Sequence, residues 1–124
     1  MNDPEVTMSE AIAHTRLIAL DRALEAAAAA IKLVMRVPAP LKPIADQVIR
    51  SASSVPANLA EGHGRVGKSR LYHFRIAYGS AKEVEVHLRL LTTTGVLDQS
   101  QTGEALELFD RVRAMTWRLL HPRP

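Results

Sequence analysis

The sequence predicts an all-α protein, an antiparallel up-down-up-down four-helix bundle, on three observations. Apolar residues recur at helical spacing over four long segments. Short proline- or glycine-bearing stretches separate those segments, and a linker of about two to eight residues returns a helix beside its predecessor. Aromatic residues are only 4% of a chain that is 47% hydrophobic, so Leu, Ile, Val and Ala must build the core, which suits helix packing better than a sheet. A length of 124 residues is one domain.

Residues 1–8 carry Pro4 and no apolar pattern and are expected to form a flexible N-terminus, with residues 9–120 as the bundle and 121–124 as a C-terminal tail. The first helix is predicted from about residue 9, where Ser9 can cap it, to about residue 37. Its inward stripe is read as Leu17, Leu20, Leu24, Ala27, Ile31 and Val34, and the run from Ala26 to Ala30 gives it a thin section that admits a close neighbour. Pro38, Pro40 and Pro43 stop it and start the second helix near Leu41.

That second helix presents Leu41, Ile44, Ala45, Val48, Ala52, Val55 and Leu59 on one face and Gln47, Ser51, Ser54, Asn58 and Glu61 on another. Pro56 lies inside it, a defect of about 3 kcal/mol in an ideal helix. The small residues Ser53, Ser54, Ala57 and Ala60 are expected to meet another helix there, with Ser54 satisfying a freed carbonyl. Gly62 and Gly64 are expected to end the helix in the left-handed conformation.

The third helix is predicted from about residue 68 to 94, with Phe74, Ala77, Ala81, Val84, Leu88 and Leu91 inward and Gly95 closing it. The fourth runs from about residue 102 to 120, presenting Leu106, Phe109, Val112, Thr116, Trp117 and Leu120. The expected core is therefore Leu17, Leu24, Ile31, Val48, Val55, Leu59, Phe74, Val84, Leu88, Leu91, Phe109 and Trp117. Tyr72, Ile76, Val86 and Leu90 lie beside the inward stripe of the third helix, a surplus of apolar width that self-association would use.

The chain has no cysteine, which excludes a disulfide framework, a Cys-bearing zinc site and a thiol nucleophile. Its five histidines form no metal-ligand pair at accepted spacing, and Ser51, Ser53 and Ser54 sit in no nucleophile elbow. The Gly62 to Gly67 turn follows no strand and lacks the Lys-Ser/Thr ending of a phosphate loop. No catalytic residue, cofactor or metal is expected. Nothing at the N-terminus resembles an export signal and the longest nearly uncharged run is far too short to span a bilayer, so a cytoplasmic protein without a membrane partner is expected.

Formal charge is +3 and the pI about 9.7. Lys68, Arg75, Lys82 and Arg89 recur every seven residues along the third helix, drifting about 20° per step. Arg111 and Arg118 make a similar pair on the fourth, and Arg65 adds charge at the turn. One reading is a solvated outer face; the other is a ridge that binds DNA or RNA backbones without selecting bases.

Ser53-Ser54-Val55-Pro56-Ala57-Asn58-Leu59-Ala60-Glu61-Gly62 with Gly64-Arg65, and then Ile76-Ala77-Tyr78-Gly79-Ser80 and Thr94-Gly95-Val96-Leu97, resemble the four-helix-bundle family named after proteins encoded in intervening sequences of bacterial 23S ribosomal RNA genes. Ser54, Pro56, Asn58, Glu61, Gly62, Gly79 and Ser80 carry the structural motif. The resemblance implies an antiparallel bundle assembled as a homo-oligomer, with a pentamer favoured. It also implies similarity to accessory variability proteins of diversity-generating retroelements, which bind a reverse transcriptase and nucleic acid through a basic surface. Two functions follow as expectations: a non-enzymatic, oligomeric adaptor with sequence-nonspecific nucleic-acid association, and an oligomeric scaffold whose charge is incidental.

Overall fold

The computed structural model describes residues 4–122, with side chains from Glu10 onward, so parts of the expected flexible N-terminus and tail lie outside the described residues. Four helices account for almost all of it: α1 (Pro4–Val34), α2 (Lys42–His63), α3 (Gly67–Thr93) and α4 (Gln99–Leu120). A single 3-10 turn, Ala39–Leu41, sits in the proline segment between α1 and α2. The first helix begins five residues before Ser9, with Pro4 in its first turn, where a missing N–H goes unused. The fourth begins three residues before Thr102. Its cap is Asp98, whose carboxylate accepts from the Gln101 amide while the Gln101 side chain accepts from the Asp98 amide. Hydrogen bonds from the Ser100 hydroxyl and the Gln101 amide hold the Asp98 carboxyl below the usual carboxylate range.

Each helix touches two others: α1 meets α2 and α4, and α3 meets α2 and α4, so the four form a square with α1 and α3 on one diagonal. Cross-helix pairs give the directions. Ser54 bonds Ser80, Asn58 bonds His73 and Gly62 bonds Arg70, so numbers rise along α2 as they fall along α3. Glu85 with Arg113 and Thr92 with Thr102 do the same for α3 and α4. Residues 11–16 share a hollow with 118–122, and 25–36 share one with 101–108, which sets α1 antiparallel to α4.

Leu91, Leu97 and Gly95 fix the end of α3. Gly95 adopts a φ of +81°, the left-handed conformation that frees the Leu97 amide to bond the Leu91 carbonyl while Leu97 itself is buried. The other glycine turn departs from expectation. Gly62 is helical and Gly64 has a φ of −81°, so neither is left-handed; Gly67, at φ +58°, takes that conformation where α3 begins.

The core keeps Val48, Val55, Leu59, Phe74, Val84, Leu88, Leu91 and Phe109, all buried, with Ile31 packed partly against it. Three expected members are outside it: Leu17, Leu24 and Trp117 are 46%, 53% and 49% exposed. The cause is which stripe of α1 turns inward. Ala19, Ala23, Ala26, Ala27, Ala30 and Val34 face the bundle, so α1 presents its thin face and carries Leu17 and Leu24 outward. On α4, Thr102, Ala105, Phe109, Val112 and Thr116 hold the buried positions at spacings of three and four, and Trp117 falls one residue off that line.

A charge at Val84, which is wholly enclosed, should cost more than about 3 kcal/mol, whereas one at exposed Leu24 should stay within about 1 kcal/mol. Urea unfolding of Val84→Asp and Leu24→Asp in dilute solution measures both, and equal losses would restore Leu24 to the core.

Candidate nucleic-acid interface

The motif residues lie chiefly at the α2–α3 seam. Ser80 donates to the Ser54 hydroxyl at 2.9 Å, the Asn58 amide donates to the Ser54 carbonyl and hydroxyl at 2.9 and 3.0 Å, and the Asn58 carbonyl oxygen lies 3.0 Å from His73 Nδ1. This half-buried chain ties the two helices in one register, because each member loses a partner if they slide. Ser54 is thereby engaged across the seam rather than with a carbonyl freed by Pro56; Ser51 and Ser53 make the backbone bonds, to Gln47 and Arg50. Pro56 is buried within an α2 that continues unbroken past it. Ser53, Ala57 and Ala60 face outward, so the small residues do not admit a neighbour at those positions.

Gly62 has a different role from the one its sequence context suggests. A Cβ placed there would lie 2.6 Å from Phe74 Cε1, so only glycine lets the Phe74 ring reach α2. The adjoining carbonyls of Gly62 and His63 accept from Arg70 at 3.0 and 3.4 Å. Glu61 stays exposed and accepts from Arg65 at 2.7 Å, and that hydrogen bond together with the Arg65 charge holds its carboxyl below the ordinary range. Gly79 is exposed, and a Cβ there would meet nothing within 4 Å.

The cationic candidates divide into those with no carboxylate partner among the described residues and those tied to carboxylates. Lys68, Arg75, Lys82 and Arg89 are all exposed along α3, spanning about 32 Å at 1.5 Å per residue. Arg89 pairs with Glu85 at 3.0 Å yet keeps 70% of its side chain in solvent. Arg111 pairs with Glu107 at 2.7 Å, and Arg65 with Glu61 as above. Surface pairs of this kind are worth little and leave the guanidinium available to a stronger anion.

Three shallow hollows follow the α3–α4 seam and share residues: Tyr78 and Arg113 belong to the first and second, Arg89 to the second and third. Together they make a furrow. Lys82, Arg89 and Arg118 line it, with Lys82 Nζ 5.8 Å from the centre of the Tyr78 ring. Arg113 in its wall is held by Glu85 and Asp110. Lys68, Arg75, Arg65 and Arg111 do not line this furrow.

At one end of the furrow stands a feature the sequence reading placed in the core. Trp117 is half exposed, and its ring stacks on His121 at 4.0 Å between centres, next to Arg118. A flat aromatic beside a cation offers any base a stacking face. The one-residue offset of Trp117 from the buried stripe of α4 was the signal that it faces out.

Two unlike apolar patches occupy opposite corners of the square. Leu17 and Leu24 are exposed on α1; Tyr72, Val86 and Leu90 are exposed on α3, at 59%, 62% and 43%. Among the described residues no helix is long and apolar enough to cross a membrane, and no group of three or more His, Asp or Glu is placed to hold a metal ion.

Compared with known proteins, the chain matches the family described as 23S rRNA-intervening sequence protein over residues 15–118. It is also similar to the crystal structure of a protein of unknown function from Bacteroides thetaiotaomicron, assigned there to the S23 ribosomal protein family. That likeness has a TM-score of 0.79 at 21% identity and covers 86% of this chain and 98% of the other, which speaks to the fold alone. No curated protein matches.

Two glycine substitutions separate packing from surface roles. Gly62→Ala drives a methyl group into the Phe74 ring and should cost about 1–3 kcal/mol, while Gly79→Ala replaces a helix-interior glycine in open space and should stabilise by about 0.4–1 kcal/mol. Urea midpoints of the two variants, moving in opposite directions, are the expected result.

Proposed function

We propose that this chain, which belongs to the 23S rRNA-intervening sequence protein family, is a non-enzymatic, cytoplasmic adaptor that self-associates and holds nucleic-acid backbones without reading sequence. The observation that carries the proposal is the exposed line of Lys68, Arg75, Lys82 and Arg89 on one helix. Cations about 10 Å apart along a rigid rod neutralise phosphates at intervals along a backbone and release counterions, which supplies affinity without base selection. The furrow supports single strands over duplex, since Trp117 offers a stacking face beside Arg118 that paired bases cannot reach. A protein partner that itself handles nucleic acid, such as a reverse transcriptase, would gain backbone affinity from such an adaptor.

Self-association rests on the two apolar patches. They differ in composition and lie on diagonal helices, so they suit head-to-tail contacts in which α1 of one copy meets α3 of the next. Repeated contacts of that kind close into a ring when the rotation permits, and a pentamer is one such closure. A ring would repeat the α3 cations in every copy at the border of the contact, since Val86 shares a hollow with Lys82 and Arg89, and convert weak single contacts into avidity.

The reading is tested by binding to single-stranded and duplex oligonucleotides across a salt series. The parent should show a linear fall of log affinity with log salt, and Lys68→Glu, Arg75→Glu, Lys82→Glu, Arg89→Glu together should abolish binding at an unchanged oligomeric state. Trp117→Ala should weaken single-strand binding by about 1–3 kcal/mol and leave duplex binding unchanged. Equal binding by the quadruple variant would make the ridge a solvated face and favour the scaffold. Sedimentation equilibrium gives the companion measurement: the parent should associate, and Leu24→Glu or Val86→Glu should each yield a folded monomer, whereas a monomeric parent overturns the assembly.

A further inference from the structure

At the end of the bundle where α1 begins and α4 finishes, a cavity of about 580 Å³ opens between α1, α3 and α4. Its walls are largely apolar, with Leu71, Phe74 and Leu119 among them, yet three guanidiniums also line it: Arg16, Arg70 and Arg118. Among the described residues no carboxylate does. Arg70 is fixed by its hydrogen bonds to the Gly62 and His63 carbonyls, so its charge is held in place by backbone. Arg16 is in the opposite condition. Its Nε and Nη1 are buried and have no hydrogen-bond partner among the described residues. Burial and the neighbouring Arg70 charge both push the Arg16 guanidinium below its ordinary value.

Arg16 is half-buried, but two of its guanidinium nitrogens are enclosed without a hydrogen bond and the Arg70 charge stands beside them with no carboxylate among the described residues to offset it, an arrangement that leaves polar groups unsatisfied. A bound anion would supply the missing hydrogen-bond partner and offset the repulsion between the two guanidiniums. The cavity volume falls within the range of about 300–1,000 Å³ usual for small-ligand sites, which combine apolar walls with a few convergent polar groups. Desolvating a dianion against such walls costs more than desolvating a monoanion, so a carboxylate suits the site better than a phosphate monoester.

We propose that this cavity binds an organic carboxylate with an aliphatic body, the body lying against Leu71, Phe74 and Leu119 and the carboxylate reaching Arg16 with Arg118 and Arg70 beside it. The cavity shares Arg118 with the furrow, but none of the ridge residues Lys68, Arg75, Lys82 and Arg89 lines it.

Decanoate is the probe, titrated calorimetrically into the full chain, with decan-1-ol and decyl phosphate as comparisons and Arg16→Met and Arg118→Met as variants. Saturable decanoate binding is expected, weakened about tenfold or more in Arg16→Met and in decan-1-ol, because each comparison removes one charged hydrogen-bonding partner. Decyl phosphate should bind more weakly than decanoate. The quadruple ridge variant should bind decanoate as the parent does, which separates this site from the nucleic-acid reading. Without ligand, Arg16→Met should melt at or above the parent temperature, since it removes an unpaired charge and keeps most of the stem. The proposal is overturned by an absence of saturable decanoate heat, by affinity unchanged in both arginine variants, by tighter binding of decyl phosphate, or by an Arg16→Met protein that melts lower.

Discussion

The bundle depends on how closely α1 can approach its neighbours. Five alanines of α1, Ala19, Ala23, Ala26, Ala27 and Ala30, are buried together, and Ala45, Ala52, Ala77, Ala81 and Ala105 join them from the other helices. Alanine loses no side-chain entropy on burial, but each residue also removes little apolar surface from water. Such a core gains its stability from short interaxial distances and many close contacts rather than from large side chains. Phe74 and Phe109 fill the wider spaces, and Gly62 is the concession that lets Phe74 in. A consequence appears on the outside. Once the thin face of α1 turns inward, its leucines at 17 and 24 must turn outward, so the apolar surface of this molecule is a product of its own core geometry.

Register is settled by a second constraint. Apolar stripes of small residues are tolerant of sliding, since one alanine replaces another with little change. The chain from Ser80 through Ser54 and Asn58 to His73 is not tolerant, because a shift strands half-buried donors and acceptors. Thr92 with Thr102 and Arg113 with Glu85 perform the same task between α3 and α4. Polar pairs thus select one arrangement from several that the alanine core alone would accept.

Helix number, order and the inward faces of α2 and α3 were legible in the sequence, because Val48, Val55, Leu59, Phe74, Val84, Leu88 and Leu91 combine bulk with strict periodicity. The inward face of α1 was legible only in part: Ala27 and Val34 are buried as expected, with Leu20 and Ile31 packed partly against the core, but Leu17 and Leu24 are exposed. Bulk and periodicity disagree there: leucine and isoleucine mark one face while an alanine line at 19, 23, 26 and 30 marks another, and close packing decides for the smaller residues. Trp117 misled for the same reason, its size outweighing a one-residue offset from Thr102, Ala105, Phe109, Val112 and Thr116. Gly62 was recognised as special, though its cause lies twelve residues away in Phe74, and no local rule reaches across a turn. The ridge on α3 was legible as a line of exposed charge. Its division into cations with no carboxylate partner among the described residues and cations already paired, and the furrow that brings Lys82 and Arg118 near Trp117, depend on how α4 lies beside α3.

Most residues that make the chain resemble its family point into the α2–α3 seam, where they specify packing. Ser54, Asn58, Gly62 and Ser80 each have an intramolecular reason to be what they are, so their presence reports a fold and carries no information about a ligand. Gly79 breaks that pattern. It lies in the middle of α3, where glycine weakens a helix, and among the described residues nothing lies within 4 Å of the place its side chain would occupy. No packing contact among the described residues accounts for glycine at this position. Tyr78 and Lys82, one residue before it and three after, line the furrow beside it. Apart from Glu61, the motif therefore reaches the outer surface through one glycine, on the helix that carries the furrow.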